Sequence, residues 1–435
     1  MDISLFKEKL AEIETDFYKG LKRIMKINSV KSTPEKKAPF GLGPKLALDE
    51  AILLSKELGF KTKIINNAVG YAQLGDDDNN YIGVVGHLDV VTEGDGWDYP
   101  PFDLTLDNGI FYGRGVLDNK GPIIANLYAL YVLKEINYPL TKTVRIIFGT
   151  DEESGSADIP LYLEKENPPL YGYTPDCKYP AVYGERGMIR LEIETPITDN
   201  SLDTLTYFKG NFDRSAIPDK LEVTINQKHY LIEGKRAPSN APDLGENVIT
   251  LFANKMVSKN LVSGEFKSFL IWLNNSLHNQ HDGSGLKINY HDQESGELSL
   301  TPFELIFEKN NIKLGLSIRY PVTMRKEDLL NKLQKSLLKS STLHVKRELP
   351  ATFFDKNHPM IASMTQVYEE LTGLDGTPVT TTGATYARTM PNIVAFGPSF
   401  PGQKGIAHNK NEYMTQKDLL KNLEIYTYLL AELIK

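Results

Sequence analysis

A chain of 435 residues, 41% hydrophobic and 24% charged, has the composition of a globular protein and is too long for one ordinary core, so two domains are expected. Its net charge of -7 offers no attraction to nucleic acid or to an anionic membrane, and no window approaches the roughly 18 uninterrupted apolar residues of a membrane span. The single cysteine, Cys177, excludes an intramolecular disulfide and fits a reducing cytoplasm.

The first segment, "MDISLFKEKLAEIETDFYKGLKRIMKI", is charged throughout and has helical periodicity, so it reads as an amphipathic helix and not as a signal peptide. Residues 44–59 repeat that period, and "YIGVVGHLDVV" reads as a buried strand. A helix follows Asn119, with Pro122 in its first turn and Ile123, Leu127, Leu130 and Lys134 at helical spacing. "TVRIIFGT" is the next buried strand. Strands alternating with helices argue an α/β layered sheet. From about Gly187 the pattern changes to amphipathic strands: "GMIRLEIET", "KLEVTINQ", "ELSLTPFELIFEK" and "IKLGLSIRYPV", the last two joined by a hairpin-like "KNN" turn. With helical stretches near 246–257 and 265–277, this part reads as α+β. After about residue 346 the α/β character returns. Residues 358–372 look helical and "NIVAFG" looks like a strand. Residues 416–434 form a helix with Leu419, Leu423, Tyr426, Leu430 and Leu433 on one face and "TQKD" as a capping box. The expected organisation is a discontinuous α/β domain, residues 1–186 and 347–435, with an α+β domain inserted at 187–346.

The chemistry-bearing residues sit where apolar elements end. In "VVGHLDVVTEGDGWDYPPF" the strand breaks into His87 and Asp89, and a spacing of two would put both side chains on one strand face, where Asp89 could orient the imidazole. The carboxyl end of a strand in an α/β sheet is where such folds place ligands. "YGRGVLDNKGP" sets Asp118 and Asn119 at a helix start, where Asn119 can serve as N-cap and leave Asp118 free. "IIFGTDEESGS" ends a strand with Asp151, Glu152 and Glu153, like charges that repel in the absence of a cation. "YTPDCKYPAVYGERG" adds Asp176 and "GIAHNKNEYM" adds His408. Mixed histidine and carboxylate ligation suits zinc, with manganese or cobalt as alternatives, and Cys177 reads as packing. A pair of metals needs one bridging carboxylate and terminal ligands on each side.

These five segments, together with "TTGATYAR" and "LSIRYP", resemble in the same order the signature segments of the di-metal peptidases. That family includes aminoacylase, glutamate-releasing carboxypeptidases and succinyl-diaminopimelate desuccinylase, and the bacterial PepV-type dipeptidases are nearest. The resemblance implies a layered catalytic domain of the phosphorylase/hydrolase-like zinc-peptidase type carrying an inserted α+β lid domain. It implies that His87, Asp118 and Asp176 bind one metal and that Asp118, Glu153 and His408 bind the other. Asp89 would steady His87, Glu152 would be the general base, and the Asp118–Asn119 peptide would be cis. Gly383 and its neighbours would line the site for the substrate's C-terminal carboxylate, Arg319 would approach the substrate from the inserted domain, and Arg388 stands open between a substrate-binding and a structural role.

The implied activity is metal-dependent hydrolysis of amide bonds in dipeptides, aminopeptidase-like. A deacylase of N-acyl amino acids and a non-catalytic metal-binding relative are the alternatives. The partner would be a small peptide or N-acyl amino acid, with no nucleic acid and no membrane, and the chain would be a monomer rather than a homodimer. Two segments depart from the pattern. "DRSAIPD" has Ser215 where PepV-type lids carry asparagine, and "EGKRAPSNAPDLGEN" lacks the lid histidine. Arg236 stands in its place, open between an oxyanion donor and a solvated loop residue.

Overall fold

The strands Tyr81–His87 and Thr143–Gly149 are buried along their whole length, as parallel strands covered on both faces are, and the buried Arg145 within the second is held by Gln73, Tyr162 and Glu166. The two strands pair in parallel, Tyr81 opposite Thr143 and His87 opposite Gly149. The computed structural model describes residues 3–435, with side chains from Leu5 onward. In it these two strands form the middle of a sheet ordered Lys61–Ile65, Val69–Leu74, Thr143–Gly149, Tyr81–His87, Tyr171–Thr174, Ile393–Ala395 and Val182–Glu185. Ile82, Val84, Ile146 and Phe148 face one apolar cluster, and Tyr81, Val85 and Ile147 face another.

Helix Lys120–Glu135 packs on this sheet and against helices Gln416–Leu433 and Ile3–Met25, which explains why nearly all its residues are buried. Met1 and Asp2 of the expected first helix lie outside the described residues. In the last helix the Leu419, Leu423, Tyr426, Leu430 and Leu433 face is buried, and Thr415 accepts from the Asp418 backbone N–H at 3.0 Å. The Asp418 carboxylate turns instead to Gln403, so only half of the expected box forms. Among the described residues no helix is long and apolar enough to cross a membrane.

The chain divides into two units: Met1–Tyr183 with Phe354–Val379 and Gly383–Lys435, and Gly184–Phe353 with Thr380–Thr382. The α/β layered class with an inserted α+β part is the architecture observed. The expected second boundary at 346/347 falls inside strand Thr342–Leu349, whose ladder with Gly187–Pro196 holds it in the second unit. That unit is built on an antiparallel sheet ordered Ser299–Glu308, Asn311–Tyr320, Gly187–Pro196 and Thr342–Leu349. Ile189, Leu191 and Ile193 point into a core shared with helices Val248–Ser258 and Gly264–Leu277, while Arg190, Glu192 and Glu194 alternate onto the other face. A three-stranded sheet, Leu205–Gly210, Lys220–Ile225 and Lys228–Glu233, completes it.

One expectation about the first unit is corrected. "YIGVVGHLDVV" does not continue as strand to Val91; the strand stops at His87. The Leu88 N–H still reaches Gly149 O, but Val90 turns away to donate to Ser29 O. Asp89 therefore stands just beyond the strand's end and not within the strand.

Candidate metal centre

Three parallel strands end side by side, so the residues that follow each are delivered to one edge of the sheet. Tyr81–His87 brings His87, Thr143–Gly149 leads into Glu152 and Glu153, and Tyr171–Thr174 leads to Asp176. Asp118 enters from the turn before helix Lys120–Glu135, and His408 from the loop before the last helix. His87 Nε2 lies 3.1 Å from Asp118 Oδ1 and 3.6 Å from Asp176 Oδ2. His408 Nε2 lies 3.0 Å from Asp118 Oδ2 and 3.0 Å from Glu153 Oε1. The two oxygens of Asp118 thus face two different histidines. His87, Glu152 and Asp176, and likewise His87, Asp118 and Glu153, each offer three ligand atoms within 4.8 Å of one another. Cys177 joins neither group. Asp151 is drawn away, paired with Lys31 at 2.6 Å and accepting the Ala157 N–H.

Buried polar groups hold this cluster in place. His87 Nδ1 stands 2.9 Å from the backbone oxygen of Asp89, nearer than the 3.5 Å to its carboxylate. A carbonyl only accepts, so Nδ1 carries a hydrogen there and Nε2 is the ring nitrogen turned to the cluster. The Asp89 carboxylate instead accepts the backbone N–H groups of Glu152 (3.2 Å) and Glu153 (3.1 Å), anchoring the turn that carries both glutamates. Asp89 therefore bears on His87 chiefly through its main chain. Asn119 stands at the N-cap position but makes no side-chain cap. Its amide accepts from His87 N and donates to Pro175 O, tying the strand end to the Asp176 segment. Gly86 leaves room for this, since a Cβ there would stand 2.5 Å from Asn119 Oδ1. The Asp118–Asn119 peptide is cis.

Sequence reasoning missed Glu412, which is fully buried. Its Oε1 accepts the N–H groups of Gly115, Leu117 and Asp118, and its Oε2 pairs with Arg114 at 2.8 Å. The signal available was an arginine and a glutamate each embedded in an otherwise small or apolar motif, "YGRGV" and "NEYM". Asp158 was missed as well; it accepts the Thr150 and Asp151 N–H groups, just before Glu152 and Glu153, and the Tyr386 hydroxyl.

The electrostatics describe a cluster short of positive charge. Burial and the Asp176 charge push Glu152 well above the usual carboxylate range. Burial also raises Glu153, and burial with the Asp118 charge pushes Asp176 up to about 7. Burial opposes ionisation of Asp118 as well, but hydrogen bonds with His408 and His87 carry it well below its usual value. Bonds to Asp118 and Glu153 push His408 up to about 11. Among the described residues no lysine or arginine pairs with Asp118, Glu152, Glu153 or Asp176. Imidazoles and carboxylates without a thiolate, gathered against their own repulsion, fit divalent cations.

The candidate substrate residues lie in both units. In the first, Arg388 donates to Gly383 O at 2.7 Å, bracing the loop that begins there. In the second, Arg319 on strand Asn311–Tyr320 donates to Thr382 O at 2.7 Å. Arg236 is half-exposed and engaged by Asp213 at 2.7 Å and by Asp219 at 3.8 Å. Ser215 hydrogen-bonds the same Asp213.

The sequence profile of Peptidase family M20/M25/M40 matches residues 83–432. The Bacillus subtilis protein named "Putative dipeptidase YtjP" is 30% identical over 454 residues, covering 97% of each chain. Human carnosine dipeptidase 1 shares the fold with a TM-score of 0.60 at 15% identity, over 99% of both chains. Bacillus subtilis YXEP, described as a dinuclear metal binding peptidase, aligns with a TM-score of 0.55 at 11% identity over 98% of this chain and 99% of its own. The resemblance carried by the five motifs is therefore one of descent, and the chain is a metallopeptidase belonging to peptidase family M20/M25/M40.

Proposed function

We propose that the protein hydrolyses the amide bond of dipeptides with two divalent cations and Glu152 as general base. The observation that carries this reading is the environment of Glu152. Its backbone is fixed by Asp89, and its carboxylate is raised by burial beside His87 and Asp176. A carboxylate so placed can take a proton from the attacking water and return it to the leaving amine. His87, Asp118 and Asp176 would hold one cation, and Asp118, Glu153 and His408 the other. The division of the two Asp118 oxygens between His87 and His408 supports Asp118 as the shared ligand. Such cations, zinc foremost with manganese or cobalt accepted, polarise the scissile carbonyl and make a water more acidic.

Arg319 would bind the substrate's terminal carboxylate, and the Gly383 loop braced by Arg388 would line that end. Arg236 is already matched by Asp213 and Asp219, which supports a brace of the 211–219 loop over an oxyanion donor. The single cysteine supports a reducing, cytoplasmic setting.

YtjP, matched over nearly its whole length, carries a dipeptidase name, which favours dipeptides over N-acyl amino acids. Purified protein supplied with zinc, manganese or cobalt should cleave members of a dipeptide panel and leave N-acyl amino acids largely intact. Cleavage of the acyl substrates alone would replace this reading with the deacylase, and cleavage of neither would leave a binding protein.

A further inference from the structure

The second unit carries a concentration of positive charge that the dipeptidase reading does not use. On the outer face of its sheet, Arg190 and Arg347 are direct partners across the antiparallel pair Gly187–Pro196 and Thr342–Leu349. Like charges in that relation destabilise a sheet unless negative charge lies between them. A bulge follows at once, with Lys346 looped out and paired to Glu192 at 2.9 Å. Arg214 comes in from the loop before strand Lys220–Ile225, and its charge, with that of Arg347, bears on Arg190.

These groups line an open cavity of about 360 Å³ together with Glu192 and Glu304. Four cations face two carboxylates there, and Glu192 is taken by Lys346. Arg190 Nε is buried without a hydrogen-bond partner among the described residues. Gly315 lies between Glu192 and Glu304 in the register, and the Phe303 ring lies over it, 2.7 Å from where a Cβ would stand.

The register relates this cavity to Arg319. Met188 pairs with Arg319, Arg190 with Ser317 and Glu192 with Gly315, so Arg319, Arg190 and Gly315 share one face. Arg190 is the diagonal neighbour of Arg319, a relation that separates residues by about 7–8 Å. A molecule with two carboxylates on a short chain spans that interval.

We propose that Arg190, Arg214 and Arg347 form an anion subsite that takes the side-chain carboxylate of an acidic C-terminal residue in the substrate. The proposal rests on the reading of Arg319 as the partner of the terminal carboxylate. An arginine guanidinium meets a carboxylate with two parallel charge-assisted bonds.

The test uses the full-length, metal-supplied enzyme and compares kcat/KM for Ala-Glu with that for the near-isosteric, neutral Ala-Gln. Wild type should prefer Ala-Glu by about tenfold or more, the scale of one or two hydrogen bonds to a charged group. Arg190→Gln combined with Arg347→Gln should bring the ratio to near one, and Arg190→Lys should recover part of it. A variant damaged only in its packing would lose both activities in proportion and keep the ratio, and that result overturns the proposal. Equal wild-type activity on the two peptides overturns it as well.

Calorimetry with glutarate separates a failure of the underlying reading from a failure of the subsite. If no dipeptide is cleaved, glutarate binding that weakens by about tenfold in Arg190→Gln still supports the anion site, and its absence in wild type refutes it. Glutarate binding without an Ala-Glu preference would mark a site for free dicarboxylates and overturn the assignment to substrate.

Discussion

Glu412→Ala removes the group that organises the turn before Asp118. The carboxylate and its partner Arg114 are both essentially inaccessible to solvent, and the same carboxylate accepts three main-chain N–H groups. Breaking a buried pair by removing one partner costs about 3–5 kcal/mol, and each stranded N–H adds about 1–3 kcal/mol where water does not reach it. These terms overlap because the groups form one network, so a total of about 4–8 kcal/mol is expected. Glu412→Gln keeps an acceptor for the three N–H groups and loses only the charge opposite Arg114, for about 1.5–3 kcal/mol.

Urea unfolding should therefore rank wild type above Gln and Gln above Ala. With a slope of about 3 kcal/mol per molar, the midpoints should fall by about 0.5–1 M for Gln and by more than 1.3 M for Ala. Asp118 is one of the residues whose N–H is released in the Ala variant, so that variant should also bind zinc about 10–100-fold more weakly in calorimetric titration. An Ala variant within about 0.2 M of wild type would refute the reasoning, because it would mean that these donors find other partners at no cost.

Glu152→Gln should retain cation binding by elemental analysis while turnover falls by a factor of about 10² or more; loss of a cation instead would exchange the roles given to Glu152 and Glu153. Cation binding should release protons. His408 in the cation-free protein is held protonated up to about 11 by Asp118 and Glu153, and a ligand imidazole must be neutral, so affinity should rise with pH across the neutral range. Titration calorimetry in two buffers of different ionisation heat measures that release, and a pH-independent affinity would remove His408 from the site. Arg319→Ala should raise KM or sharply lower kcat/KM on dipeptides by withdrawing a charge-assisted contact, and an unchanged value would place Arg319 away from substrate.

The residues that end the apolar runs were legible in the sequence, because burial against both faces of a sheet leaves a strand few polar positions before its end. The exception, Arg145, needs Gln73, Tyr162 and Glu166 to hold it. His87 after "VVG", Glu152 and Glu153 after "IIFGT", and the Thr415 cap follow from hydrophobic period and local hydrogen bonding, interactions that act within a few residues. Partners distant along the chain could not be read this way. Glu412 meets Gly115 across 297 residues, and Asp89 meets Glu153 across 64, with nothing in either local pattern to name the other. Even Asn119, placed at its helix start by sequence, spends its side chain on a strand and a loop instead of a cap. The opposition of Arg190 and Arg347 likewise exists only in the register of two strands about 150 residues apart in the chain, beside the bulge at Lys346. Local patterning determined the elements and the ends at which chemistry could sit. Sheet order and register decided which of those ends meet, because the energy of a buried polar group depends on the partner that the fold brings to it.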